Sequence, residues 1–500
     1  MKPVAARADS AAPEDRNVAW DYHQKAANYH QKAVNYNKMD IKSLYSIYKE
    51  CGGKVTTDTR TLKGGELFFA LKGENFDGNE YASKALEDGA GYAVVNSSSA
   101  AARLAETDSR IIPVEDTLKA LQALARWHRS VTFVDGKPLT VIALTGTNGK
   151  TTTKELIREV LSKKYKVTAT EGNLNNNIGV PLTLLKINSQ TQIAVVEMGA
   201  SHPGDIRELV EIALPNYGLV TNVGKAHLLG FGSFEGVMKT KGELYDYLRR
   251  TADKVFVNVD NPYLCKMASE RNLDSDPERN ESLVIPYGLE FSHSKVLESS
   301  PEHPFLRIRI PAEGGEVAVN TNLVGAYNAD NVMAALAIGQ YFGVSLQDGA
   351  AAVSEYTPAN NRSQMTRTER NLLIVDAYNA NPTSMDAALN NFAGVQAPRK
   401  VALLGDMLEL GEDSVSEHVR VAEKALASGF SSVCFVGSEF GKALKEMSSS
   451  AAMPKNGTEC LHFDTSDSLA QYLSEKRIAD AVVLIKGSRG TRMEKTIPML

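Results

Sequence analysis

The string T-G-T-N-G-K-T at residues 145–151 carries side chains and glycines suited to holding phosphate. Its glycines let backbone N–H groups turn inward around phosphate oxygens, Lys150 can reach the terminal phosphates, and the Thr151 hydroxyl can meet Mg2+. Gly146, Thr147, Asn148, Gly149, Lys150, Thr151 and Thr152 are therefore read as a nucleotide site. The match to G-x-x-x-x-G-K-[ST] is partial, because Leu144 occupies the first position. A plain turn would not require this string: Ala or Ser serves a turn, and a lysine followed by three threonines has no packing use.

Such a loop needs a strand before it and a helix after it. Residues 139–144 read as a buried strand and 152–163 as a helix. Short strands ending in polar residues recur at 193–197, 217–222 and 254–258, and again at 372–376, 400–405, 433–436 and 482–486. Strands alternating with helices predict doubly wound parallel sheets. The expected fold class is α/β, with a small unit over 39–130, a P-loop unit over 131–350 and a second large α/β unit over 351–500. The last has no G-x-G-x-x-G, so a dinucleotide is not indicated. A parallel sheet gathers the carboxyl ends of its strands on one edge, where ligands bind. Glu197 ends one strand and His227 follows another, so a carboxylate and an imidazole could ligate Mg2+ beside the loop. Each alone would read as an ordinary strand end or loop residue.

Composition narrows the alternatives. At 500 residues the chain allows about three domains. Its 43% hydrophobic and 23% charged residues suit a folded soluble protein rather than a disordered one. The net charge of −5 supplies no general attraction to nucleic acid or anionic lipid, so any phosphate ligand must be held locally. No apolar run reaches the ~18 residues needed to span a bilayer, so no membrane insertion is expected. Four scattered cysteines without a C-x-x-C pair suit packing residues in a reducing cytosol. Residues 1–38 repeat Y-H-Q-K-A-x-N at 22–28 and 29–35 and lack a secretory core; they are expected to be an unstructured extension, or to precede a working start at Met39.

Six motifs in order resemble the Mur ligases of peptidoglycan synthesis: G-T-N-G-K-T at 146–151, N-L-N-N-N-I-G-V-P at 173–181, E-M-G at 197–199, G-A-Y-N-A-D-N at 325–331, D-A-Y-N-A-N-P at 376–382 and L-G-D-M-L-E-L-G at 404–411. The last two resemble the member that adds D-alanyl-D-alanine to UDP-N-acetylmuramoyl-tripeptide. The resemblance implies a UDP-sugar domain, a central ATPase and a Rossmann-like closing domain. It also implies a cytoplasmic, monomeric ligase whose cofactors are ATP and Mg2+ and whose substrates are UDP-MurNAc-tripeptide and D-Ala-D-Ala. ATP would phosphorylate the tripeptide carboxylate, and the dipeptide amine would displace the phosphate.

Residue by residue, the resemblance assigns Lys150 to the phosphates, Thr151 and Glu197 to Mg2+, and His227 to a second metal. Lys241, in K-T-K-G-E-L-Y, falls where the family carbamylates a lysine, with Lys239 offering a second register. Asn328 and Asn331 match adenine-side contacts, and Arg362 and Asp376 match groups the last domain brings to the nucleotide. Asn379 and Asn381 resemble residues facing the dipeptide, although N-A-N-P alone would read as a helix-capping turn. Asp58, Thr59 and Arg60 in T-D-T-R, with Lys72 and Gly73, resemble uridine-side loops. Asn175, Asn176 and Asn177 match the segment facing the muramoyl peptide. Tyr327 stands where many relatives carry His. K-G-S-R at 486–489 resembles a family signature that spacing explains only as a basic loop near anions. The rivals are another ligase of the superfamily, such as a folylpolyglutamate synthase, and a non-ligase P-loop ATPase.

Overall fold

The computed structural model describes residues 40–251, 253–275, 281–300, 303–358, 362–449 and 457–500; the extension at 1–38 lies outside the described residues. Three parallel or mostly parallel sheets follow one another along the chain. The first has four strands in the order Val55–Thr56, Leu67–Phe69, Tyr92–Asn96 and Ile111–Val114. The central sheet has six parallel strands in the order Val284–Tyr287, Lys254–Asn258, Tyr217–Val220, Thr140–Thr145, Ile193–Glu197 and Val167–Ala169. The last runs Gln364–Arg367, Asn371–Asp376, Ala481–Lys486, Lys400–Gly405, Ser432–Val436 and Glu459–Phe463, with only the first strand antiparallel to its neighbour. The α/β class expected from the alternating pattern is what the structure has.

Val141, Ile142, Ala143 and Leu144 are wholly buried, as a strand covered by helices on both faces must be. The strand's neighbours to one side are Ile193–Glu197 and Val167–Ala169, and to the other Tyr217–Val220. This reversal of direction opens a crevice at its carboxyl end. The following helix, Lys150–Ser162, starts two residues earlier than the apolar pattern alone indicates, because Gly149 at φ 77° serves as its N-cap. Leu156, Ile157, Val160 and Leu161 bury its inner face against Val332, Ala335 and Leu336 of the helix Ala329–Tyr341. An antiparallel sheet, Lys295–Leu297, Arg307–Ala312 and Gly315–Asn320, has no counterpart in the sequence reading.

The first and central sheets share one apolar core that runs from Leu44 to Leu283. Tyr48 Oη donates to Leu185 O at 2.8 Å, and the His128 ring meets Ile187 O at 2.8 Å through Nε2 and the Tyr45 hydroxyl at 3.2 Å through Nδ1. Arg129 donates to Leu214 O at 3.0 Å and Asn216 Oδ1 at 2.9 Å, and burial pushes its guanidinium down to about 10. No helix among the described residues is long and apolar enough to cross a membrane.

Candidate active site

The loop after Thr140–Thr145 is held from several sides. Thr147 N donates to Asn222 O at 3.0 Å, Asn148 N to Asn222 Oδ1 at 2.9 Å, and Thr221 Oγ1 to Asn148 O at 2.7 Å. Gly146 has φ 147°, and a Cβ there would lie 2.0 Å from Thr221 Oγ1, so no larger residue fits. A Cβ on Gly149 would meet Asn331 Oδ1 at 2.6 Å. Lys150 folds back on its own loop, donating to Gly146 O at 2.7 Å and Thr147 O at 3.2 Å. Burial pushes its ammonium below the ordinary lysine range; Glu197 opposes that shift and Arg362 adds to it.

Glu197 is almost wholly buried at the end of its strand. Its Oε1 accepts from Thr151 Oγ1 at 3.2 Å and Asn175 Nδ2 at 2.8 Å, while Oε2 has no protein partner among the described residues. A buried, unpartnered carboxylate oxygen beside a hydroxyl is a hard-oxygen donor set, so these residues fit Mg2+. His227 is held elsewhere: its Nδ1 is paired with a carboxylate oxygen of Glu409, and this contact draws the Glu409 carboxyl below its usual range. Lys241 is 2% exposed, with Nζ 3.4 Å from Ala200 O and 5.4 Å from the centre of the Phe231 ring. Burial, and then the nearby Lys150 charge, push it well below the ordinary lysine range. Lys239 is exposed, so packing rather than sequence separates the two lysines.

Residues 147–152, Glu197 and His227 line one cavity of about 970 Å³ that the last sheet completes; Gly146 and Lys241 do not border it, and Lys241 lies behind its wall at Ala200. Arg362 lies over Tyr378, its guanidinium carbon 3.7 Å from the ring centre. Asp376 accepts from the buried Lys486 Nζ at 2.6 Å. Tyr327 lines the same cavity, bonded to Ser363 Oγ at 3.0 Å, and burial raises its phenol above the usual value. Asn379 lines it too. Asn381 does not: it caps the helix Pro382–Gly394 through a capping box and donates to Asn148 Oδ1 at 2.8 Å, tying the last sheet to the phosphate loop.

Other expected residues fall in different places. Asn328 and Asn331 border the cavity but are bonded to each other at 2.9 Å, and Asn331 also accepts from Thr153 Oγ1 at 2.9 Å, so both buttress the loop from behind. Asn175, Asn176 and Asn177 line the cavity, with Asn175 spent on Glu197 and Asn176 bonded to the N–H of Gly179. Asp58 and Arg60 form a local ion pair at 2.6 Å, with Thr59 in the turn between them, and Lys72 pairs with Asp77 at 3.8 Å. Asp58, Thr59, Arg60, Lys72 and Gly73 all lie outside the lining of the cavity.

The chain matches the patterns of the Mur ligase family catalytic domain over residues 54–129, the Mur ligase middle domain over 144–339 and the Mur ligase, glutamate ligase domain over 361–489. It is 34% identical over 452 residues to a protein of Haemophilus influenzae named UDP-N-acetylmuramoyl-tripeptide--D-alanyl-D-alanine ligase, covering 89% of this chain and 92% of that one. The chain belongs to the Mur ligase family. MurF from Acinetobacter baumannii superposes with a TM-score of 0.74 at 27% identity, over 90% of this chain and 97% of that one. MurF ligase from Thermotoga maritima, solved in complex with ADP, gives 0.72 at 26% over 89% and 96%.

Several further cavity residues of this Mur ligase carry no functional signal in sequence. Tyr378 lies within D-A-Y-N-A-N-P, and only the structure shows Arg362 over its ring. Glu409 lies in L-G-D-M-L-E-L-G; only the tertiary structure shows its contact with His227. Ser201 and His202 line the cavity through a loop held by Asp205, whose carboxylate accepts from both backbone N–H groups at 2.8 Å.

Proposed function

We propose that this Mur ligase uses ATP to join D-alanyl-D-alanine to UDP-N-acetylmuramoyl-tripeptide, in the cytosol and as a monomer. The reading rests on one observation above the rest: the phosphate loop, Glu197 and the cationic face of the last sheet border a single cavity. A carboxylate is a poor electrophile, and transfer of a phosphoryl group makes it a good one; the protein's task is then positioning and charge neutralisation.

Loop N–H groups would cradle the phosphates, and Lys150 would exchange its two carbonyl partners for phosphate oxygens. Thr151 and Glu197 would hold Mg2+, which supplies charge neutralisation when bound. Asn175 keeps Glu197 aimed by donating to one of its oxygens. Arg362 would approach the nucleotide from the last sheet, with Tyr378 as its backing. Lys241, as a carbamate, would offer a buried anion in place of a cation, and His227 would join it on a second metal after parting from Glu409. Asp58, Thr59, Arg60, Lys72 and Gly73 would hold the uridine end, and Asn379 would face the dipeptide.

The test is phosphate release from ATP and Mg2+ by purified protein. Release should require UDP-MurNAc-tripeptide and D-Ala-D-Ala together, and carboxyl oxygen labelled with 18O should appear in the phosphate. Release independent of either substrate would sink the ligase reading.

A further inference from the structure

Four lysine or arginine side chains line the cavity: Lys150, Arg362, Lys486 and Arg489. Three have work already. Lys150 is bound to its loop, Lys486 is neutralised by Asp376 at 2.6 Å, and Arg362 stacks on Tyr378 close enough to Lys150 to oppose its charge. Arg489 lies on the same ring at a looser 5.5 Å, is exposed, and has no carboxylate partner among the described residues.

The turn carrying Arg489 is firmly anchored. Ser488 is buried; its N–H donates to Asp406 O at 3.1 Å, and its hydroxyl accepts from Leu408 N at 3.0 Å. Thr491 closes the turn by donating to Ser488 O from N at 2.9 Å and from Oγ1 at 2.6 Å. Gly487 is packed so closely that a Cβ would lie 2.7 Å from Thr491 Oγ1. An anchored turn therefore holds an uncompensated guanidinium at the cavity wall, at the carboxyl end of Ala481–Lys486.

On the ligase reading above, the incoming dipeptide carries its own negative charge. Its amine must reach the activated carbon near Lys150 and Glu197, while its carboxylate lies up to about 7 Å farther along an extended two-residue chain. Glu197 and Asp205 also border the cavity and would repel that carboxylate. We propose that Arg489 binds the terminal carboxylate of D-alanyl-D-alanine and so selects a dipeptide with a free carboxyl end. A guanidinium presents two parallel donors that match a carboxylate, and such charge-assisted bonds correspond to about 10- to 100-fold in affinity.

The experiment compares D-alanyl-D-alanine with its carboxamide as nucleophiles at saturating ATP and UDP-MurNAc-tripeptide. The unmodified enzyme should favour the acid by about 10- to 100-fold in kcat/KM. Arg489→Ala should lose that preference through a higher KM for the acid, with the KM for ATP within about twofold of the starting value. Arg489→Lys, which keeps the charge but not the paired donors, should fall between, and carries the same comparison if Arg489→Ala is too slow to assay. An acid preference absent from the unmodified enzyme or unchanged in the variants overturns the proposal, as does a rise in the KM for ATP instead of the dipeptide. Absence of any dipeptide-dependent phosphate release from the unmodified enzyme would overturn the ligase reading as well, an outcome distinguishable from the others.

Discussion

The two joints between the three sheets differ in kind. The first and central sheets are welded by a common apolar core, with Tyr48, His128 and Arg129 bonding to buried backbone on the far side. Across the cavity the last sheet meets the phosphate-loop side chiefly through polar contacts, Asn381 with Asn148, Lys225 with Glu417 at 2.7 Å, and Glu409 with His227, and its apolar core takes in only Val324 and Phe305 from the preceding part of the described chain. An apolar joint is lost only with the fold, because separating it exposes core to water. Polar joints can exchange protein partners for water at small net cost, which suits a wall that must open for substrates and close for chemistry.

The crevice between these joints is where turnover should be most fragile. Lys150→Ala should lower phosphate release by about 1000-fold or more without moving the melting temperature, because the loss is of charge aimed at the reacting group. A melting shift comparable to that of a core variant would show that Lys150 supports the joint instead.

Leu121→Ala breaks the welded side. Leu121 is wholly buried in the shared core, so the change should cost about 2–5 kcal/mol in urea unfolding while the remaining folded enzyme keeps its KM values. Lys241→Ala acts just behind the crevice wall and should lower turnover by about 100-fold, with partial rescue by added formate or acetate, while exposed Lys239→Ala stays near wild type. Full activity of Lys241→Ala would refute a carbamate there.

His128 gives the welded joint a pH dependence. Burial pushes its imidazole below the ordinary value, with Lys49 adding to the shift and the Ile187 carbonyl opposing it. A depressed folded value means that the unfolded chain takes up the proton first. Stability is therefore full above the ordinary histidine value of about 6.5 and falls as pH drops below it, by at most about 1.4 kcal/mol per pH unit. The profile of His128→Gln should lack this component; a profile identical to that of the unmodified protein would exclude His128 as its source. The smallest effect is on the polar joint. Asn381→Ala removes a helix cap and an interdomain bond, at about 1 kcal/mol of stability, and should shift the average shape in solution scattering toward an open form. A stability loss without a shape change would reduce Asn381 to a cap.

Much of the architecture was legible in the chain, for physical reasons. Fully buried parallel strands must be continuously apolar, so 193–197, 254–258 and 400–405 coincide with the observed strands. Edge strands escaped: Glu459–Phe463 is half-exposed and mixed in character, and Lys295–Leu297 is too short to show a period. The phosphate loop was legible because its glycines answer to backbone geometry, which is local.

What sequence alone determined is the set of groups available and the local turns that carry them, since propensity and periodicity act over a few neighbouring residues. Tertiary structure decided which lysine of 239 and 241 is buried, that Asn175 serves Glu197, that Asn381 bridges two sheets, and that Arg489 faces the cavity without a carboxylate partner among the described residues. Burial and pairing depend on residues hundreds of positions apart, and no local rule encodes those distances.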